Sequence, residues 1–162
     1  MLSPTLTITA CDDVEALFVP HRNSMAEAYQ GFFPADSPFP SDDVLRGEWR
    51  AALGAEQAVC FLATVNGRPA GTVATRFDAQ FGEGEVRKLY VDPEFWGQGI
   101  GQALLDTALD HLRAVGHTAA GLWVLEVNRP TRDYYERRGW RQRTGVTQAP
   151  YRSTEVRYHL PL

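Results

Sequence analysis

Gly97-Gln98-Gly99-Ile100-Gly101 joins a strand-like run to an amphipathic helix, and no other stretch limits the possible folds of this chain so strongly. Glu85 to Val91 reads as the strand. Ile100, Leu104, Leu105, Ala108, Leu109 and Leu112 then recur at helical spacing until Gly116. A strand that turns through glycines into a helix leaves the first-turn N–H groups unpaired and pointing outward, backed by the positive end of the helix dipole. Glycines at 97, 99 and 101 let a phosphate approach that backbone closely. Two common phosphate sites are nevertheless excluded. The dinucleotide fingerprint G-x-G-x-x-G fails because Gln102 stands three after Gly99 and Leu104 three after Gly101. The P-loop needs Lys then Ser or Thr after its glycines, and the only lysine among the 16 basic residues, Lys88, precedes Leu89.

The rest of the pattern surrounds this turn with short elements. Leu6 to Ala10 reads as a first strand, and Asp12 with Glu15 as a capping box for a helix carrying Val14, Leu17 and Phe18 that Pro20 ends or bends. A second helical stretch from about Asn23 to Gln30 leads into an aromatic, proline-rich loop, and Ser41 caps a helix through Leu53, stopped by Gly54. Ala58 to Val65 and Gly71 to Phe77 flank Asn66-Gly67, a strong hairpin signal. Gly121 to Val127 is a nearly continuous apolar run and reads as a covered strand, Pro130 opens a helix ending at Gly139, and Trp140 to Val146 and Ser153 to Leu160 read as two last strands. The order is β-α-α-β-β-β-α-β-α-β-β.

With 162 residues, 44% hydrophobic and 22% charged, the chain has the size and balance of one folded domain over residues 1–162. A net charge of -4 argues against a general nucleic-acid or anionic-membrane binder. Cys11 and Cys60 are too far apart in sequence for a zinc ribbon or redox pair, and the four histidines lack ligand spacing, so no metal is expected. No long apolar run and no basic-then-apolar leader is present, which points to a cytoplasmic protein.

Glu85-Val86-Arg87-Lys88-Leu89-Tyr90-Val91-Asp92-Pro93 and Trp96 to Leu105 resemble the acyl-CoA-binding motif of the GNAT superfamily of N-acyltransferases. Asn128, Tyr135, Glu136, Gly139 and Trp140 match that superfamily's second signature, in the same order. The resemblance implies an α+β fold with a mixed, mostly antiparallel sheet of six to seven strands flanked by about four helices. It also implies acetyl-CoA as acyl donor and an amine, on a small molecule or a peptide, as acceptor. Trp96 departs from the Gln or Arg often found before the first glycine.

On this resemblance the pyrophosphate of coenzyme A lies on the amides of Gln98, Gly99, Ile100, Gly101 and Gln102, with Trp96 and Gly97 leading into the loop. The pantetheine arm lies as an extra strand beside Leu89, Tyr90 and Val91, and the Val91 amide donates to the thioester oxygen. Asn128 is a cofactor contact, a helix N-cap, or both. Tyr135 matches the acid that protonates the leaving thiolate, its alternative being a packed helix tyrosine; Glu85 is the candidate base, its alternative a solvated strand-end carboxylate beside Glu83. Arg129, Arg132, Arg137 and Arg138 either include a partner for the 3′-phosphate or form a solvated helix face.

The same resemblance implies an acceptor side around Tyr29, Phe32, Phe33, Phe39 and Trp49, near Asp36, Asp42 and Asp43, with Tyr151 from the last hairpin, or these residues serve only core and capping roles. The direct ternary-complex transfer implied has two competitors: a coenzyme-A-binding regulatory domain without turnover, and a transferase acting on protein or peptide amines. A monomer or homodimer fits either.

Overall fold

The computed structural model describes residues 3–28, 39–149 and 153–162. Its strands are β1 Leu6–Ala10, β2 Val59–Val65, β3 Arg68–Asp78, β4 Glu83–Val91, β5 Ala119–Leu125, β6 Arg141–Gln148 and β7 Glu155–Pro161. All seven form one sheet in the order β1-β2-β3-β4-β5-β7-β6. The helices α1 Val14–Ala28, α2 Asp42–Leu53, α3 Ile100–Ala114 and α4 Arg129–Arg137 interleave with them in the order read from the sequence. Every neighbouring pair is antiparallel except β4 and β5, which run parallel and share only the rungs Gly84↔Ala120 and Glu85↔Gly121.

Local chemistry accounts for the element ends. Asn66 and Gly67 take φ of 50° and 80°, the positive values that match a two-residue turn to the twist of β2 and β3. The Ser41 hydroxyl accepts from the Val44 N–H at 3.2 Å and opens α2. At α1 the cap is Asp13 rather than Asp12: its Oδ1 accepts from the N–H groups of Glu15 and Ala16.

Pro20 does not end that helix. α1 runs through it to Ala28, so the two expected helical stretches are one. An interior proline costs about 3 kcal/mol. Leu17, Phe18 and Met25, all buried against the sheet, each contribute about 1.5–3 kcal/mol and together outweigh it. β5 begins and ends two residues earlier than its apolar run, leaving Val127 63% exposed.

The sheet carries a core on each face. On one, Leu104, Leu105, Ala108 and Leu112 of α3 pack with Val73, Val86 and Ala120. On the other, Leu17, Phe18, Leu45 and Trp49 of α1 and α2 pack with Cys60, Leu62 and Ala74. Successive residues Val73 and Ala74 thus serve opposite cores, as strand alternation requires. Cys11 and Cys60, distant in sequence, face one another across the edge of the sheet, with the Cys11 N–H on the Cys60 carbonyl at 2.8 Å; both are free thiols. Among the described residues no helix is long and apolar enough to cross a membrane.

Two glycines should respond oppositely to alanine in urea denaturation. Gly47 lies exposed in α2 with nothing within 4 Å of an added Cβ, so Gly47→Ala should raise stability by about 0.5–1 kcal/mol. At Gly84 a Cβ would meet Leu112 Cδ2 at 2.7 Å, and Gly84→Ala should lower stability by about 1–3 kcal/mol.

Candidate active site

Because β4 and β5 part beyond Glu85 and Gly121, the β5-facing edge of the later β4 residues has no ladder partner in the sheet. A cavity of about 860 Å³ occupies the fork and extends between the two faces. β4 also bulges there: its register with β3 shifts between Thr72 and Ala74, and Lys88 adopts φ 55°. A bulge re-aims side chains. Lys88 consequently turns toward α2, its Nζ 3.3 Å from Glu48 Oε2 and over the Trp49 ring.

At one mouth of the cavity stands the N-terminus of α3. Gly97 and Gly99 take φ of 78° and 79°, a region that disfavours any other residue. Gly99 caps the helix without a side-chain hydrogen bond. The first bond to its carbonyl comes from the Ala103 N–H, so the N–H groups of Ile100, Gly101 and Gln102 have no acceptor within the helix. Gly99, Gly101 and Gln102 line the cavity, with Leu89, Tyr90 and Asn128. Val91, Trp96, Gly97, Gln98 and Ile100 do not form its wall. Ile100 is buried in the α3 core, and Trp96, 49% exposed, donates from Nε1 to the Val91 carbonyl at 2.8 Å.

Asn128 keeps both of its readings, accepting from the Thr131 N–H at the start of α4 while lining the cavity. Of the four candidate arginines, only Arg138 reaches the cavity wall. Its Nε donates to Gln102 Oε1 at 2.7 Å and its guanidinium lies 3.4 Å from the Tyr134 ring centroid. Arg129 pairs with Asp133, and Arg132 bonds Tyr158, Gln142 and the Glu126 carbonyl. Tyr134 donates its hydroxyl to Gln102 Oε1 at 2.5 Å. The neighbouring Tyr135 is 7% exposed, packs edge-on against Trp140 and lines the cavity.

Deeper in the fork, Glu85 is 2% exposed, which removes the solvated reading. Its Oε2 accepts from Arg157 Nη1 at 2.8 Å and its Oε1 lies 3.2 Å from Arg76 Nη2. Arg157, fully buried on β7, also reaches Glu83 Oε1 at 3.0 Å and Asp78 Oδ2 at 3.3 Å, and is held between the rings of Phe81 and Trp123. A Cβ on Gly121 would overlap this guanidinium and the Glu83 carboxylate, so only glycine fits beneath it. Burial pushes the Glu85 carboxyl above its ordinary value, helped by its hydrogen bond with Asp78 and opposed by Arg157 and Arg76. Burial also pushes Asp78 up, but the bond from Glu85 and the charge of Arg157 outweigh it and leave Asp78 low.

Toward α1 and α2 the cavity is lined by Arg76, Arg87, Lys88, Glu48, Glu155 and His21. His21 stacks on Tyr90 at 4.0 Å, and its Nδ1 accepts from Trp49 Nε1 at 3.1 Å. Burial, with the Lys88 charge, lowers its pKa from 6.5 to about 3. Trp49 is itself fully buried and belongs to the core. Asp42 and Asp43 lie on the outer surface of α2 against Arg22 and Arg46, and Phe39 is 44% exposed. Tyr29, Phe32, Phe33, Asp36 and Tyr151 fall outside the described residues. The sequence reading did not reach Arg157, Asp78 or Trp123. Their signal was present: charges at alternate positions of an otherwise apolar last strand, Glu155, Arg157 and His159, imply a polar buried face.

The forked sheet with a glycine-led helix terminus at its mouth defines an α+β acyltransferase architecture. A family model described as the acetyltransferase (GNAT) family matches residues 22–140, and the chain belongs to that family. An uncharacterised N-acetyltransferase of Methanocaldococcus jannaschii is 32% identical over 91 residues, covering 53% of this chain and 40% of that protein. A mycothiol acetyltransferase of Propionibacterium freudenreichii is 46% identical over 57 residues, 35% of this chain and 18% of that one. The chain thus spans less than half the length of either relative. The solved structure of PaiA N-acetyltransferase from Thermoplasma acidophilum, in complex with coenzyme A, superposes with a TM-score of 0.76 at 17% identity, covering 98% of this chain and 99% of that one.

The His21 ring should remain neutral in the folded protein, its Cε1–H proton signal unmoved between pH 8 and pH 5. Because its folded pKa of about 3 lies below the unfolded 6.5, the stability it contributes is full above pH 6.5 and is lost progressively as pH falls from there toward 3. His21→Phe should flatten that part of the stability-against-pH curve in urea titrations.

Proposed function

We propose that this chain is an acetyl-CoA-dependent N-acetyltransferase whose single domain passes the acetyl group directly to an amine. One observation carries the reading: a single cavity joins the unpaired amides of the α3 terminus, the unladdered edge of β4, the buried Glu85 and the Tyr135 ring. Acetyl-CoA supplies the activated thioester; the chain supplies its binding and the proton transfers.

The donor suits what is present. A diphosphate fits N–H groups with no acceptor at a helix dipole's positive end, with Arg138 adding a cation beside them. An extended amide arm fits the β4 edge that β5 leaves open, next to the bulge at Lys88. No lysine is required in such a site, so a polyanion and a net-negative protein are compatible.

In the transfer, a neutral amine forms a bond to the thioester carbon as the C–S bond breaks. Glu85 takes the proton the amine gives up, directly or through water, and its raised pKa makes it a better base near neutral pH than an ordinary carboxylate. Tyr135 gives its hydroxyl proton to the departing sulfur, and a β4 backbone amide, Val91 the first candidate, steadies the carbonyl oxygen.

Coenzyme A release should be followed by a thiol-reactive dye across amines, amino acids, polyamines and peptides. Tyr135→Phe should lower kcat about a hundredfold while changing the acetyl-CoA Kd only slightly; unchanged turnover removes the assignment. Activity should fall as pH drops through the raised Glu85 pKa. Asp78→Asn removes the carboxyl whose hydrogen bond helps raise the Glu85 pKa and should move this acid limb to lower pH, whereas Glu85→Gln should abolish the limb. Tight acetyl-CoA binding with no release toward any acceptor would instead assign a regulatory, non-catalytic role.

A further inference from the structure

We propose that Arg76 and Arg87 form a carboxylate-binding pair at the acceptor end of the cavity, so that the acceptor is an α- or β-amino acid. The amine half of this statement rests on the transferase reading above; the anion half rests on the two arginines alone.

Their placement follows from strand register. Arg76 stands opposite Glu85, and Arg87 opposite Ala74, so Arg76, Glu85 and Arg87 share the face of β3 and β4 that looks toward α1 and α2. Both arginines line the cavity, with side chains 33% and 32% exposed, over a Glu85 side chain that is only 3% exposed. A guanidinium has five N–H donors, and these two are poorly supplied with acceptors. Among the described residues, Arg76 bonds only Glu85, and its Nε is buried with no partner. The Arg87 guanidinium approaches no carboxylate of a described residue more closely than Glu85 Oε1, at 3.9 Å, and no hydrogen bond joins it to a described residue.

The acids nearby are engaged elsewhere. Glu85 Oε2 and Asp78 are bound to Arg157, Glu48 faces Lys88 at 3.3 Å, and Glu155 accepts from Gln148 at 2.7 Å. Two half-desolvated guanidiniums side by side repel one another, and burial together with Arg76 already weakens the hold of Arg87 on its proton. A carboxylate bridging them would relieve that repulsion and fill the open donors with paired, charge-assisted bonds.

Spacing sets the class of ligand. Glu85 lies within 3.2 Å of one guanidinium and 3.9 Å of the other, so a molecule with its carboxylate on the arginines and its amine at Glu85 has the two groups only a few bonds apart. Amines on long aliphatic or polyamine chains lack the anion, and a lysine ε-amine lies too far from its own carboxylate.

Binding to the protein saturated with coenzyme A tests this without turnover. Calorimetry would compare the N-acetyl derivatives of the common α-amino acids and of β-alanine with their C-terminal amides, which keep the size and shape but replace the anionic oxygen by an uncharged NH2. At least one acid should bind about tenfold or more tightly than its amide. That preference should collapse in Arg87→Gln and in Arg76→Gln, survive in part in Arg87→Lys, and shrink with added salt. Equal binding of acid and amide, no measurable binding of any acid, or a preference that persists in the Arg76→Gln/Arg87→Gln double variant would overturn the proposal. The two readings fail separately: acid-selective binding without coenzyme A release from any free amino acid sinks the transferase, and release from simple amines with no acid preference sinks the carboxylate pair.

Discussion

The site depends on the charge of Arg157. Its guanidinium, sealed from water between two aromatic rings, sits where β4 and β5 make their last rung, and it binds one carboxylate from β3 and two from β4. Leaving such a group unpaired costs roughly 3–5 kcal/mol, as much as a large core truncation. The chain therefore cannot close the fork without ordering Asp78, Glu83 and Glu85 around it. What an apolar core would do by packing volume, this one does by charge, with direction as well as strength. One product of that ordering is a buried carboxyl, Glu85, with its pKa raised, at the apex of an open cleft.

The opposite end of the cleft is built on a contrasting principle. Nothing ionic is needed to attract a phosphate at the α3 terminus, because the helix itself ends in unpaired donors and glycines keep side chains out of the way. Backbone donors are cheap in sequence: they survive almost any substitution that preserves the turn, and they leave the protein's overall charge free. Fixed side-chain charge is concentrated instead at the apex and on the α1 and α2 side, in Arg76, Glu85, Arg87, Lys88 and Glu48.

The architecture was largely legible because its determinants are local. The Asn66-Gly67 turn, the Ser41 cap and the 3.6-residue spacing of Ile100 to Leu112 each act over a few residues, and all of them appear where they were read. Pro20 misled because the force that keeps α1 whole is tertiary: the helix is glued to the sheet by Leu17, Phe18 and Met25, which a proline rule cannot see. Glu85 was recognisable as a candidate by position, but not its burial, since that depends on Arg157 seventy-two places away. The cysteines, read as too far apart in sequence to pair, are both free thiols, though the sheet brings them opposite one another. Trp49 and the α2 aspartates, grouped with the acceptor side through the family resemblance, divide between core and surface once the helix is placed.

A further consequence concerns Lys88, turned inward by the bulge of β4 until its side chain is 9% exposed against Glu48. Every other basic residue is an arginine, whose guanidinium does not take up an acyl group from a thioester under ordinary conditions. This member of an acetyltransferase family thus carries no lysine ammonium on its surface. Spontaneous acylation, a form of chemical ageing for lysine-rich proteins in the presence of thioesters, finds no lysine on the outside of this one to modify.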